Sequence, residues 1–190
     1  MSTALAIMGI LLVGMYSWYV TLIKKRNKAL EALSGVDVFL RQRFDLIPNI
    51  LAIAQKYMQH EKSLLEEVTS LRAKADQNYD PKSRQQVSEH LQASDLLNAR
   101  FSQLMLAVEN YPDLKANQTM LEAMQTNNEV EGHIAAARRF YNASVTTLNN
   151  AVEIFPGNLI ARMVGVTKMP FYETDALSKE PIKASQIFSS

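Results

Sequence analysis

The sequence predicts an all-α protein, with an N-terminal transmembrane helix leading into an antiparallel up-down bundle of three long helices and a short C-terminal helical piece. Three observations predict it. The first 23 residues carry no charged side chain, and Lys24-Lys25-Arg26-Asn27-Lys28 follows at once. Apolar residues then recur at alternating three- and four-residue steps, the beat of a helix with one buried face. Gly and Pro number six each in 190 residues, too few turns for a β fold of this length.

The opening apolar run, Ala4 to Ile23, is long enough to cross the ~30 Å hydrocarbon core at ~1.5 Å per residue. Tyr16, Trp18 and Tyr19 near its C-terminal end suit a membrane interface. A cleaved signal peptide would need a basic start and a small-x-small exit, whereas Met1-Ser2-Thr3 is uncharged and the exit is Lys-rich. Cations flank only the C-terminal side, so the positive-inside rule puts the body in the cytoplasm and Met1 outside. Beside an anionic leaflet, Lys24, Lys25, Arg26 and Lys28 each add about 1 kcal/mol of attraction. Gly9 and Gly14 do not have the GxxxG pairing spacing. The chain therefore divides into an anchor (1–23), a basic juxtamembrane helix (24–35), the bundle (36–172) and a polar tail expected to be disordered (173–190).

In the first bundle helix Leu40, Phe44, Ile47, Leu51, Ala54, Met58, Leu65 and Val68 keep the beat, with Glu61 filling one step. Carried from Val36 to Ala75, this helix would be about 60 Å long. Pro48 lies inside it and predicts a kink, with a break as the alternative and Asp45 as the cap of a restarted helix. Asp76–Ser83 is a polar turn containing Asp80-Pro81. The second helix carries Val87, Leu91, Ser94, Leu97, Phe101, Leu104 and Val108, and ends at Asn110-Tyr111-Pro112-Asp113. The third starts near Asn117, an N-cap, and runs to about Glu153, where Pro156-Gly157-Asn158 stops it. Leu159 to Val166 reads as a short helical piece packed on the bundle's end, too short to span a membrane. Short connections imply antiparallel neighbours.

Composition narrows the chemistry. A net charge of +1 argues against a nucleic-acid partner. Zero Cys excludes disulfides, thiolate metal sites and cysteine nucleophiles. Di-metal carboxylate bundles need Glu-x-x-His, but Tyr57, Val87 and Val130 stand three residues before His60, His90 and His133. His60-Glu61 lacks the second His of a zinc-protease helix, with Leu64 in its place. Each His reads as a polar residue on a solvated or half-buried face. No phosphate loop, nucleophile elbow or triad order is present, and no cofactor is expected. Met105, Met120 and Met124 read as core filler ahead of a binding face. Glu61 and Glu131 both interrupt apolar stripes, and a carboxylate in a core face is costly unless paired. Arg138 is the candidate partner, against the plainer reading of a surface cation with a packed stem.

Four stretches in order resemble the LemA family of bacterial membrane-anchored helical proteins. They are Arg43-Phe44-Asp45-Leu46-Ile47-Pro48-Asn49-Ile50 followed by Tyr57 and His60-Glu61; Glu109-Asn110-Tyr111-Pro112-Asp113-Leu114-Lys115-Ala116-Asn117; Ile134 to Asn142, containing Arg138, Tyr141 and Asn142; and Phe155-Pro156-Gly157-Asn158-Leu159-Ile160-Ala161. The resemblance covers about residues 20–172. The chain departs from the family pattern at Ala123, Met124, Asn127 and Val130. The resemblance implies a helical bundle, a single-pass inner-membrane location and no established enzymatic activity.

Two expectations follow for the motifs. The Tyr111–Asn117 turn would return to the membrane end beside Asp45 and Pro48, with Tyr111 and Leu114 covering the kink and Asn49 satisfying a carbonyl freed by Pro48. Phe155-Pro156-Gly157-Asn158 would lie at the far end. The motifs serve either the fold or a partner. The functional expectation is a membrane-tethered cytoplasmic scaffold or adaptor that contacts itself or other membrane proteins. Its alternatives are an enzyme or cofactor carrier with a bundle-core site, and an outward-facing envelope protein.

Overall fold

A computed structural model describes residues 2–173, and among these all regular structure is helical. The helices are α1 (Ser2–Tyr57), α2 (Lys62–Ala75), α3 (Arg84–Val108), α4 (Pro112–Lys115), α5 (Gln118–Glu153) and α6 (Gly157–Val164), with a 3-10 turn at Gln59–Glu61. The expected disordered tail lies, past Glu173, outside the described residues.

α1 runs unbroken through Pro48. Proline has no N–H to give to the carbonyl four residues earlier, here that of Phe44. Arg72 of α2 supplies the missing donor: its Nε–H bonds the Phe44 carbonyl oxygen at 2.7 Å. This replaces both local expectations. Asp45 caps no restarted helix, and Asn49 is exposed, with the freed carbonyl taken by Arg72 instead. Replacing Arg72 with leucine should cost about 1–3 kcal/mol by orphaning that carbonyl. In a Pro48→Ala background, where the introduced alanine restores the N–H, the cost should shrink. Urea unfolding of the four variants measures this, and equal costs in both backgrounds would refute the role of Arg72.

The long helix does not continue to Ala75. It ends at Tyr57, and Met58, with φ −101° and ψ 67°, turns the chain. Met58 is buried, and its N–H still bonds the Ala54 carbonyl at 2.8 Å, so the turn is anchored from the core side. Folding back lets Leu64, Leu65, Val68 and Ala75 of α2 share the core with α1. A straight continuation would leave that stripe in water. Glu61 sits half-exposed in the turn, so it is not a buried charge.

Cross-helix pairs tie the helices to one another. Arg72 meets Phe44, and Arg100 forms an ion pair with Glu67, Nε to Oε1 2.8 Å. Arg43 pairs with Glu131, the Phe39 and His133 rings stack at 5.0 Å, and Lys28 lies 5.9 Å from the Phe140 ring centre. Across the three α1–α5 pairs one residue number falls as its partner's rises. α5 therefore runs back along α1. Asn117 caps α5 by accepting from the Met120 N–H at 3.1 Å.

The extra leg exchanges the ends at which two motifs sit. By the α1–α5 register, the start of α5 falls beside the C-terminal end of α1, away from the uncharged segment. The Tyr111–Asn117 turn is there, with Leu114 fully buried, and does not cover Pro48. The Phe155–Asn158 corner is at the opposite end, next to Trp18. Its Phe155–Pro156 bond is cis. Gly157 is required by close approach: a Cβ there would collide with the Ala151 carbonyl oxygen. Gly157→Ala should lower stability by about 1–3 kcal/mol, read as a lower thermal midpoint.

Candidate functional site

The third sequence motif builds the most organised polar site. After α6, residues 166–173 are not helical, and the strap they form is held against α5. Asn149 grips Met169 from both sides: its Nδ2 donates to the Met169 carbonyl at 3.0 Å, and the Met169 N–H donates to its Oδ1 at 3.0 Å. One heptad earlier Asn142 repeats the arrangement on Tyr172, at 2.9 and 2.8 Å. The Tyr141 hydroxyl donates to the Pro170 carbonyl at 2.7 Å. Two asparagines seven apart thus mimic a neighbouring strand for an extended segment, since an amide carries both a donor and an acceptor. Their spacing puts them on one helix face.

The strap delivers the Tyr172 ring into the interior. Arg138 places its guanidinium carbon 5.4 Å from that ring's centre. Burial pushes the Tyr172 hydroxyl above its ordinary range, helped by the charge of Asp95 and a hydrogen bond to it, while Arg43 and Arg138 oppose the shift. Arg43 lies at the heart of this seam, 1% exposed and paired with Glu131. Burial pulls its guanidinium below the usual value, against the pull of Glu131, Tyr172 and Asp95. It remains a cation at neutral pH. Glu131 therefore has Arg43 as its ion-pair partner, and Arg138 covers Tyr172 instead.

A second cluster pins the α2–α3 connection to α1. The Tyr79 hydroxyl donates to Asp37 Oδ2 at 2.6 Å, His90 Nε2 lies 3.2 Å from Asp37 Oδ1, and the Tyr79 and His90 rings stack at 4.2 Å. Burial raises the Tyr79 hydroxyl, reinforced by its bond to Asp37. An open cleft of about 860 Å³ lies beside it, lined by Tyr79, His90, Gln86 and Glu89 among others.

The seam unites Arg43, Glu131, Arg138, Tyr141 and Asn142 of the residues singled out in the sequence. It does not include Asp45, Pro48, Asn49 or Glu61. Tyr111, Pro112, Leu114 and Asn117 shape the distal corner. Phe155, Pro156 and Asn158 shape the opposite one, where Asn158 Oδ1 is buried and Phe155 exposed. Lys24, Lys25, Arg26 and Lys28 form a collar on α1 just past the uncharged segment. Asp37, Arg72, Tyr79, Asp95, Asn149 and Tyr172 were not foreseen. Among them only Asn149 left a trace, its heptad distance from Asn142. Chemically the seam is a lock: its ionisable groups face one another and the strap. Among the described residues no three His, Asp or Glu side chains gather as metal ligands.

Comparison with known proteins gives a consistent set. A family model described as "LemA family" matches residues 32–185. Protein LemA of Metamycoplasma hominis is 23% identical over 166 residues, 87% of this chain and 74% of that protein. Magnetosome protein MamQ of Magnetospirillum gryphiswaldense and magnetosome protein MamQ 1 of Paramagnetospirillum magneticum are each 31% identical over 85 residues, 45% of this chain. The match spans only 31% of the length of either magnetosome protein.

Proposed function

The chain belongs to the LemA family, and from that premise we propose that it is a membrane-tethered, non-catalytic helical scaffold that works through protein contacts, with self-association among them. One observation carries the reading: the apolar segment and the body share a single helix, Ser2–Tyr57, whose N-terminal part is long and apolar enough to cross a membrane. Residues 5–19 expose large apolar side chains that nothing in the body covers fully. The body is an up-down bundle of four legs, α1, α2, α3 and α5, standing on that anchor. The basic collar supports an orientation with the body on the cytoplasmic face of a bacterial inner membrane. Support for a non-catalytic role comes from the seam, where Arg43 is spent on Glu131 and Tyr172 on Asp95. A membrane confines copies to two dimensions, so weak lateral contacts become effective.

The test uses the chain's lack of cysteine. Leu106, exposed on α3, is replaced by Cys in the full-length protein and cross-linked in its own membrane. Discrete dimers or larger species are expected. Monomer alone, with no stoichiometric companion after mild-detergent isolation, would end the scaffold reading. Labelling of a Ser102→Cys variant by an impermeant reagent in intact cells would reverse the sidedness.

A further inference from the structure

We propose that the α6 corner is a second lipid contact, inserted into the same leaflet as the C-terminal half of the anchor and continuous with it. The inference rests on the tether reading above. α6 packs on α1 at a depth that a cytoplasmic helix would not reach. Gly157 sits beside Trp18, and Ile160, Met163 and Val164 line a shallow apolar hollow of about 250 Å³ with Leu12, Met15 and Tyr16. Those α1 positions lie well inside the uncharged run, so α6 is level with the inner part of the span.

The faces turned outward there are apolar. Phe155 is 71% exposed and Met163 76%, and Ile154 and Leu159 are more than half exposed. A water-facing helix of eight residues has no reason to present these. If the corner stood in water, the bilayer boundary would lie near Leu12. Ser2–Leu11, only ~15 Å of helix, would then face a core of ~30 Å. Placing the hydrocarbon boundary at Trp18 and Tyr19 instead, with the Lys24–Lys28 collar among the headgroups, gives Ser2–Tyr19 a span of ~27 Å and leaves α6 ~5–10 Å below the boundary, its apolar side chains against acyl chains.

Charge agrees with this placement. Lys24, Lys25, Arg26 and Lys28 mark the headgroup level. Arg162 is the charged residue on α6; it is exposed, and its stem lets the guanidinium snorkel to the phosphates. The occupant is therefore an anionic bilayer leaflet, with α6 lying in the interface rather than crossing it.

The test is depth-dependent quenching in the full-length protein, reconstituted in vesicles of phosphatidylcholine and phosphatidylglycerol. Single cysteines carrying an environment-sensitive fluorophore are placed at Met163, at Leu159, at Val13 in the anchor and at Leu106 on α3. Doxyl-labelled lipid should quench the Met163 and Leu159 labels to within about twofold of Val13, as expected for burial below the headgroups. The Leu106 label should be untouched. Quenching at Val13 with aqueous emission at both α6 positions would overturn the inference and leave the tether standing. Blue-shifted α6 emission that lipid does not quench, and that reverts on dilution with excess lipid, would assign the face to a second copy and also overturn it. An aqueous Val13 label would overturn both readings.

Discussion

Replacing Glu131 with leucine should destabilise the chain by about 3–5 kcal/mol, because it leaves a guanidinium in the core without its ion-pair partner. Replacing Arg43 with methionine should cost only about 1–2 kcal/mol. The asymmetry follows from exposure. Arg43 is 1% exposed, and its Nε already has no partner, whereas the Glu131 side chain is 37% exposed and can turn to water. Asp95 and Tyr172 lie near Arg43 but are engaged with each other. Methionine fills the arginine's volume with an adaptable apolar stem. The double variant should recover most of the loss, giving a large coupling term in a double-mutant cycle. Urea unfolding of the four proteins, followed by circular dichroism, reads all of this. Equal losses in the two single variants would show that the pair is solvated from both sides.

Alkali should unfold the chain abruptly. Burial raises the hydroxyls of Tyr79, Tyr141 and Tyr172 above their ordinary value. In the unfolded chain the same groups titrate near about 10. The neutral form is thus favoured by the fold, so the stabilisation is complete below pH ~10 and drains away as the pH climbs beyond it. Each group contributes a slope of about 1.4 kcal/mol per pH unit, and three together about 4. Two units of pH would remove about 8 kcal/mol, comparable to the whole stability of a typical domain. Thermal midpoints recorded from pH 9 to pH 12 should fall steeply in the wild type, and Tyr172→Phe should flatten the fall by about a third. A flat profile would mean these hydroxyls reach solvent.

The helical class and the limits of most helices were legible because the apolar beat, the polar Asp76–Ser83 turn and the cap at Asn117 are local signals. The turn at Met58 was not. Leu51, Ala54, Met58, Leu65 and Val68 stay in phase across it, and a periodic stripe looks the same whether the helix runs straight or folds back on its own core. No Gly or Pro marks the place. That one turn changed the end at which the Tyr111 and Phe155 motifs are found. It also hid Arg72, whose role at Pro48 exists only once α2 lies against α1. Arg43, Glu131 and Arg138 were each picked out, but the pairing was wrong, since partner choice depends on register between distant helices. The strap escaped notice because its partners are backbone groups, which every residue carries.

On the proposed tethering, the unbroken passage of α1 through Pro48 would make the molecule a lever with its fulcrum at the lipid surface. From Lys24 to Tyr57 the helix reaches ~50 Å. A change of ~20° in the lean of the buried portion, the ordinary response to a bilayer of different thickness, would sweep the far corner around Leu114 sideways by ~17 Å. Membrane thickness would thereby be converted into displacement at the end where Tyr111 and Asn117 sit, with no break in α1 to absorb it.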